Sequence, residues 1–181
     1  MSDSTVMHTQ ENVVLVDENN VAIGTAEKLD AHLAGSLHRA FSVVVVSSQG
    51  DLLLQQRAGA KYHSGGLWSN TCCGHPRPGE DTISAAQRRL REEMGISCTL
   101  AFCAAFVYRA EVDESLIEHE YDQVLLGVYD GEPLPDPSEV MAWRWSDAHS
   151  VAVGIASQPE RYTAWLPLVL AHALGRTFQL D

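Results

Sequence analysis

Asn70-Thr71-Cys72-Cys73-Gly74-His75-Pro76-Arg77-Pro78-Gly79-Glu80 runs into a polar segment that ends Arg88-Arg89-Leu90-Arg91-Glu92-Glu93-Met94-Gly95. The first part sets a thiol two residues from an imidazole and follows both with a Gly/Pro-rich bend. In the second, Ile83, Ala86, Leu90 and Met94 recur at spacings of three and four with Arg and Glu opposite, which predicts a helix over residues 81–94. Gly95 sits where a helix-ending glycine belongs. Glu92 and Glu93 lie at the helix C-terminus, where the dipole disfavours anions, so a nearby cation is expected. The pairs Arg88–Glu92 and Arg89–Glu93 supply part of it, at ~0.3–0.5 kcal/mol each. Together these groups describe a site able to hold a metal, bind a polyanion and move a proton.

Upstream, residues 13–16 and 21–24 are short apolar runs around the turn Asp17-Glu18-Asn19-Asn20, a hairpin by composition. Residues 27–40 have no clean period and contain His32 and His38. Residues 41–46 are β-branched and expected to be buried on both faces, with a turn leading into a second strand at 52–57. A loop over 58–69 then reaches the opening stretch. Downstream, strands are expected at 99–111 and 117–129, joined by Asp113-Glu114-Ser115. Pro133, Pro135 and Pro137 break the chain before a strand at 140–145 and a helix at 160–174 with Trp165 in its middle. Strands before and after a central helix, plus a terminal helix, indicate an α+β sandwich with a mixed sheet. The expected organisation is a disordered arm over 1–12 and one domain over 13–181.

Twelve Lys/Arg against twenty-four Asp/Glu give a net charge of −12, which argues against nucleic acid or an anionic membrane surface as partner. An anionic small-molecule substrate would need local cations, and bound metal is the obvious supply. The longest apolar runs fall far short of the ~20 residues of a membrane span. The N-terminal stretch has neither a basic region nor an apolar core of a signal peptide. Four cysteines with two adjacent make a poor disulfide framework, so reduced thiols in a cytoplasmic protein are expected. A monomer or weak homodimer is expected.

If residues 71–75 are extended, Cys73 and His75 share a face and Cys72 looks the other way, into the core with Cys98 and Cys103. The same alternation puts Glu118 and Glu120 on one strand face, ~7 Å apart at Cβ. A solvated face would explain them, but two such carboxylates repel unless something cationic lies between. With His32, His38 and His75 they form a mixed N/O set suited to Mn²⁺, Zn²⁺ or Fe²⁺, not to Mg²⁺ or Ca²⁺. Arg57 and Lys61 flank a loop and either grip phosphate or lie on the surface. Tyr108 and Trp165, taken singly, are ordinary core aromatics.

Gly74, Glu80, Arg88, Glu92, Glu93 and Gly95 resemble the Nudix box, with Arg89 where that box carries its first metal-binding Glu. With Asn70-x-x-Cys73-x-His75-Pro76 ahead of the altered box, and Glu118-x-Glu120 after it, the chain resembles the type I isopentenyl-diphosphate isomerases over nearly its whole length. The resemblance implies a Nudix-like α/β/α sandwich and interconversion of isopentenyl and dimethylallyl diphosphates through a carbocation. It implies an octahedral Mn²⁺ or Zn²⁺ on His32, His38, His75, Glu118 and Glu120, with Cys73 and Glu120 as the acid/base pair and Tyr108 as a relay. It also implies Mg²⁺ bridging Glu93 to the diphosphate, with Arg57, Lys61 and Arg89 gripping the substrate and Trp165 facing the cation. A Nudix hydrolase and a non-enzymatic metal-binding module are the rival readings.

Overall fold

The valine-rich and leucine-rich runs form the sheet on which the site is built. In the computed structural model, residues 11–112 and 115–175 are described. β1 (Asn12–Val16) and β2 (Ala22–Glu27) make the expected antiparallel hairpin. Two residues of the expected arm are part of the fold: Asn12 opens β1, and Glu11 takes a hydrogen bond from Lys28 Nζ at 3.0 Å. The rest of the expected arm, residues 1–10, lies outside the described residues. The aperiodic segment that follows hides α1 (Lys28–Ala34), a seven-residue helix too short to declare a period. Glu27 caps it at one end and Gly35, in the left-handed conformation, at the other.

β3 (His38–Val46) starts at His38 instead of Phe41, which draws that imidazole into the sheet. β4 (Leu52–Arg57) is followed by two short strands inside the expected loop, β5 (Trp68–Ser69) and β6 (Cys72–Gly74). α2 (Thr82–Met94) is capped by Asp81, whose side chain accepts from the Ser84 amide at 3.0 Å. It ends at Gly95, with φ +66 and Leu134 O 2.5 Å from where a Cβ would sit, so no other residue fits. Ile83 is exposed, and the buried ridge runs instead through Ala85, Ala86, Leu90, Glu93 and Met94. The long hairpin β7 (Leu100–Val112) and β8 (Leu116–Val128) matches expectation; of its turn, Asp113 and Glu114 lie outside the described residues.

After β9 (Val140–Ser146) the outcome departs from the single terminal helix expected. The structure has α3 (Ala148–Ser157), a 3₁₀ turn at Pro159–Arg161 and α4 (Leu166–Leu174) with Trp165 at its N-cap. α3 escapes sequence reading because its Val, Gly and Ser residues are weak helix formers. Pro167 in the first turn of α4 marks where that helix can begin.

β3 is the centre of the sheet, parallel to β8 and antiparallel to β1, β4 and β6. Phe41, Val43 and Val45 pack with Leu90 and Met94 of α2 on one face. Val44 packs with Val151, Ile155, Leu166 and Leu170 of α3 and α4 on the other. This is an α/β/α sandwich around a mixed sheet, the mixed sheet as the element order indicated and the layering as the resemblance implied. Cys72 is fully buried in the α2 side of the core, whereas Cys98 is only half-buried and Cys103 is exposed, against expectation. Cys72→Ala removes one heavy atom from that core and is expected to cost about 0.5–1.5 kcal/mol, like Ile→Val. Urea denaturation checks this, and the chemistry on the opposite face should be unchanged.

Candidate active site

Strand register assembles the site. His38 of β3 lies beside Glu120 of β8 in the parallel pair, and Tyr108 of β7 lies on its other side, so three functional residues share one rung. Glu118 follows on the same face by strand alternation. β6 pairs Cys73 with Ser42 of β3 and delivers His75 just beyond its end, while α1 contributes the fully buried His32.

The ligand atoms of His32, His38, His75, Glu118 and Glu120 all lie within 4.8 Å of one another. His32 Nδ1 donates to Lys28 O at 2.6 Å and His38 Nδ1 donates to Ser36 O at 2.8 Å, which turns both Nε2 lone pairs inward. His38 Nε2 and His75 Nε2 stand 3.2 Å apart, and His75 Nε2 is 2.9 Å from Glu120 Oε1. Burial pushes the His75 imidazole down to about 4, so it is neutral. Lone pairs that converge this closely, with backbone carbonyls holding two Nδ1 protons, are a donor set made for a cation. Three nitrogens and two carboxylates fit a transition ion. Burial works against the Glu118 charge, but the His32 and His63 imidazoles beside it hold its carboxyl well below the usual range.

Tyr108 OH donates to Glu120 Oε2 at 2.7 Å. Burial, then the Glu120 charge, pushes the Tyr108 hydroxyl well up, so it keeps its proton. Cys73 Sγ donates to Asn70 Oδ1 at 3.1 Å and lies 3.6 Å from Ser42 Oγ. Burial and then the Asp122 charge push this thiol up to about 12. One cavity of about 700 Å³ brings Cys73, Tyr108, Glu120 and Trp165 together with Arg57, Lys61 and Arg89.

The basic rim is arranged around acids. Arg89 donates to Glu93 at 2.6 Å and Glu92 at 2.9 Å, and it shares Glu139 with Lys61. Glu93 is buried against Gln55 Nε2 at 3.0 Å and lines the same cavity. The Arg57 guanidinium sits 5.5 Å from the Trp165 ring centroid; its Nε is buried and, among the described residues, has no hydrogen-bond partner. Trp165 Nε1 is tied to Ser69 Oγ at 3.1 Å. All twelve residues singled out from the sequence therefore meet at this cavity or in the ligand cluster beside it. Sequence reading missed Tyr62, His63 and Glu139. The Lys61-Tyr62-His63 run was a usable signal for two of them, since Lys61 was already a candidate.

Residues 36–166 match the NUDIX domain. The chain is 50% identical over 92% of its length to isopentenyl-diphosphate Delta-isomerase 2 of Aromatoleum aromaticum, covering 88% of that protein. It is 51% identical over 91% of its length to the isopentenyl-diphosphate Delta-isomerase of Burkholderia multivorans, covering 93% of it. Among solved structures, the Deinococcus radiodurans protein DR0079 superposes with a TM-score of 0.75 at 19% identity, over 90% of this chain and 99% of that one. At that identity the likeness establishes the fold alone.

Proposed function

The chain belongs to the isopentenyl-diphosphate Delta-isomerases of the NUDIX domain family, and from that membership we infer how its cavity interconverts isopentenyl and dimethylallyl diphosphates. One C–H bond forms at the terminal methylene of the alkene, and another breaks two carbons away. Positive charge passes through a tertiary carbocation, with no change of oxidation state and no water consumed. Two proton-carrying groups on opposite faces of the alkene meet that need. We assign the Cys73 thiol to one face and the Glu120 carboxylate, with the Tyr108 hydroxyl, to the other.

Support comes from how each group is held. Tyr108 occupies Glu120 Oε2, while Oε1 faces the imidazoles, so the oxygen near the relay differs from the one turned to the ligand cluster. The π faces of Trp165 and Tyr108 suit a carbocation, each such contact being worth ~2 kcal/mol when desolvated. Arg57, Lys61 and Arg89 grip the diphosphate: Arg57 Nε offers an unused buried donor, and Lys61 and Arg89 exchange Glu139 for phosphate oxygens. When bound, Mn²⁺ or Zn²⁺ on His32, His38, His75, Glu118 and Glu120 supplies charge that lets two carboxylates stand adjacent, and Mg²⁺ against Glu93 supplies charge to the diphosphate. The single observation that carries this reading is a five-donor cluster within 4.8 Å beside a cavity holding one thiol and one carboxylate-bound phenol.

Incubation with isopentenyl diphosphate in D₂O, followed by NMR, tests it. Deuterium should enter the allylic product, stop entering with chelator, and resume with Mn²⁺ plus Mg²⁺. Release of phosphate without deuterium uptake would instead identify a hydrolase. Metal should also stabilise the fold: Mn²⁺ at 100 times its dissociation constant adds about 2.7 kcal/mol. That corresponds to a rise of about 5–10 °C in unfolding midpoint for a chain of this size, read by calorimetry.

A further inference from the structure

We propose that His63 is a positioning residue of the ligand cluster: it holds the outer oxygen of Glu118 so that the inner one stays aimed at the imidazoles. This rests on the metal-centre reading above. Glu118 Oε2 faces His32 Nε2 at 3.2 Å, and Glu118 Oε1 is 2.9 Å from His63 Nε2. His63 stands outside the five-donor cluster, so its nitrogen is free to donate to the carboxylate instead of competing for an ion.

The His63 side chain is 5% exposed, and a buried imidazole must place both ring nitrogens. With Nε2 donating to Glu118, Nδ1 accepts from the Ser64 hydroxyl at 3.2 Å. The ring also meets Trp165 edge-on, with centroids 6.0 Å apart. Thus one side chain touches both a cluster ligand and the aromatic wall of the substrate cavity.

The loop is shaped to deliver it. Arg57 donates to His63 O at 3.2 Å and takes the Gly66 amide on its own carbonyl at 3.0 Å. A Cβ on Gly65 would lie 2.8 Å from Gly59 O, so this turn is closed to larger residues. Ser64 and Gly66 both have positive φ, which reverses the chain right after His63 and drives its ring inward.

Without the His63 donor, Glu118 Oε1 is a buried charged acceptor with no other hydrogen-bond donor among the described residues, and the carboxylate is free to rotate away from the cluster. Outer hydrogen bonds of this kind are typically worth about 10–100-fold in metal affinity. The test is the dissociation constant of Mn²⁺ alone for the full chain without substrate, measured by EPR of the free ion. His63→Leu should weaken it by about 10–100-fold. His63→Gln, whose amide nitrogen reaches the same oxygen, should stay close to the parent. Should His63→Leu not fold, His63→Met replaces it as the non-donor of similar volume.

Equal Mn²⁺ affinity in parent and non-donor variant would overturn the proposal, and so would a His63→Gln variant as weak as His63→Leu. A parent chain that takes up no Mn²⁺ would overturn the metal centre itself and this inference with it. Because the readout is metal binding, a failure here leaves the isomerase reading to be judged separately by the D₂O experiment.

Discussion

Cys73→Ala should lower turnover of isopentenyl diphosphate by about 10³-fold or more while Mn²⁺ content and unfolding midpoint stay at parental values. A positioned acid or base is commonly worth about 10²–10⁴-fold, and this reaction has no activated carbon to soften the loss. The structural cost is small, because the thiol's polar contacts among the described residues are a 3.1 Å bond to Asn70 and a 3.6 Å approach to Ser42. It is also absent from the ligand cluster, so no donor is removed. Cys72→Ala is the internal control: the neighbouring sulfur has the same size, sits on the opposite side of β6 and should change stability alone. Single-turnover deuterium incorporation reads the chemistry free of product release. A Cys73→Ala protein with more than a tenth of normal turnover would take the thiol out of the mechanism.

That contrast between adjacent cysteines was legible in the sequence because strand alternation is local. The same rule paired Glu118 with Glu120: both are buried on alternate positions of β8, and Cys72 and Cys73 pack against opposite cores. What local rules could not supply was the parallel register. The expected hairpin, 99–111 against 117–129, already sets Tyr108 opposite Glu120, but nothing in the sequence aligns His38 with Glu120 across a parallel pair. The family resemblance stood in for that missing information. It could not stand in at α1, where seven residues are too few to declare a period, nor at α3, whose composition argues against helix. His63 and Glu139 stayed hidden for a different reason: each acts by touching a group already recognised, and such partnerships exist only once the loop is folded.

The second large effect is expected at Glu120, where two roles meet in one carboxylate. Oε1 faces His75 at 2.9 Å and His38 at 3.6 Å, while Oε2 receives the Tyr108 hydroxyl at 2.7 Å. Glu120→Gln keeps the shape but removes the charge, and its amide places an NH₂ either against the imidazole lone pairs or against Tyr108. Mn²⁺ affinity should therefore fall, by about 10-fold or more for a lost charged ligand. An amide also takes no proton from carbon, so turnover should remain about 10³-fold or more below normal even with the cluster saturated. Glu118→Gln separates the two roles: it loses a ligand charge but lies off the Tyr108 rung, opposite Ala110. Its activity should recover as Mn²⁺ is raised, whereas that of Glu120→Gln should not. Full recovery of Glu120→Gln at saturating Mn²⁺ would reduce Glu120 to a ligand and leave Tyr108, tested by Tyr108→Phe, as the remaining group opposite the thiol.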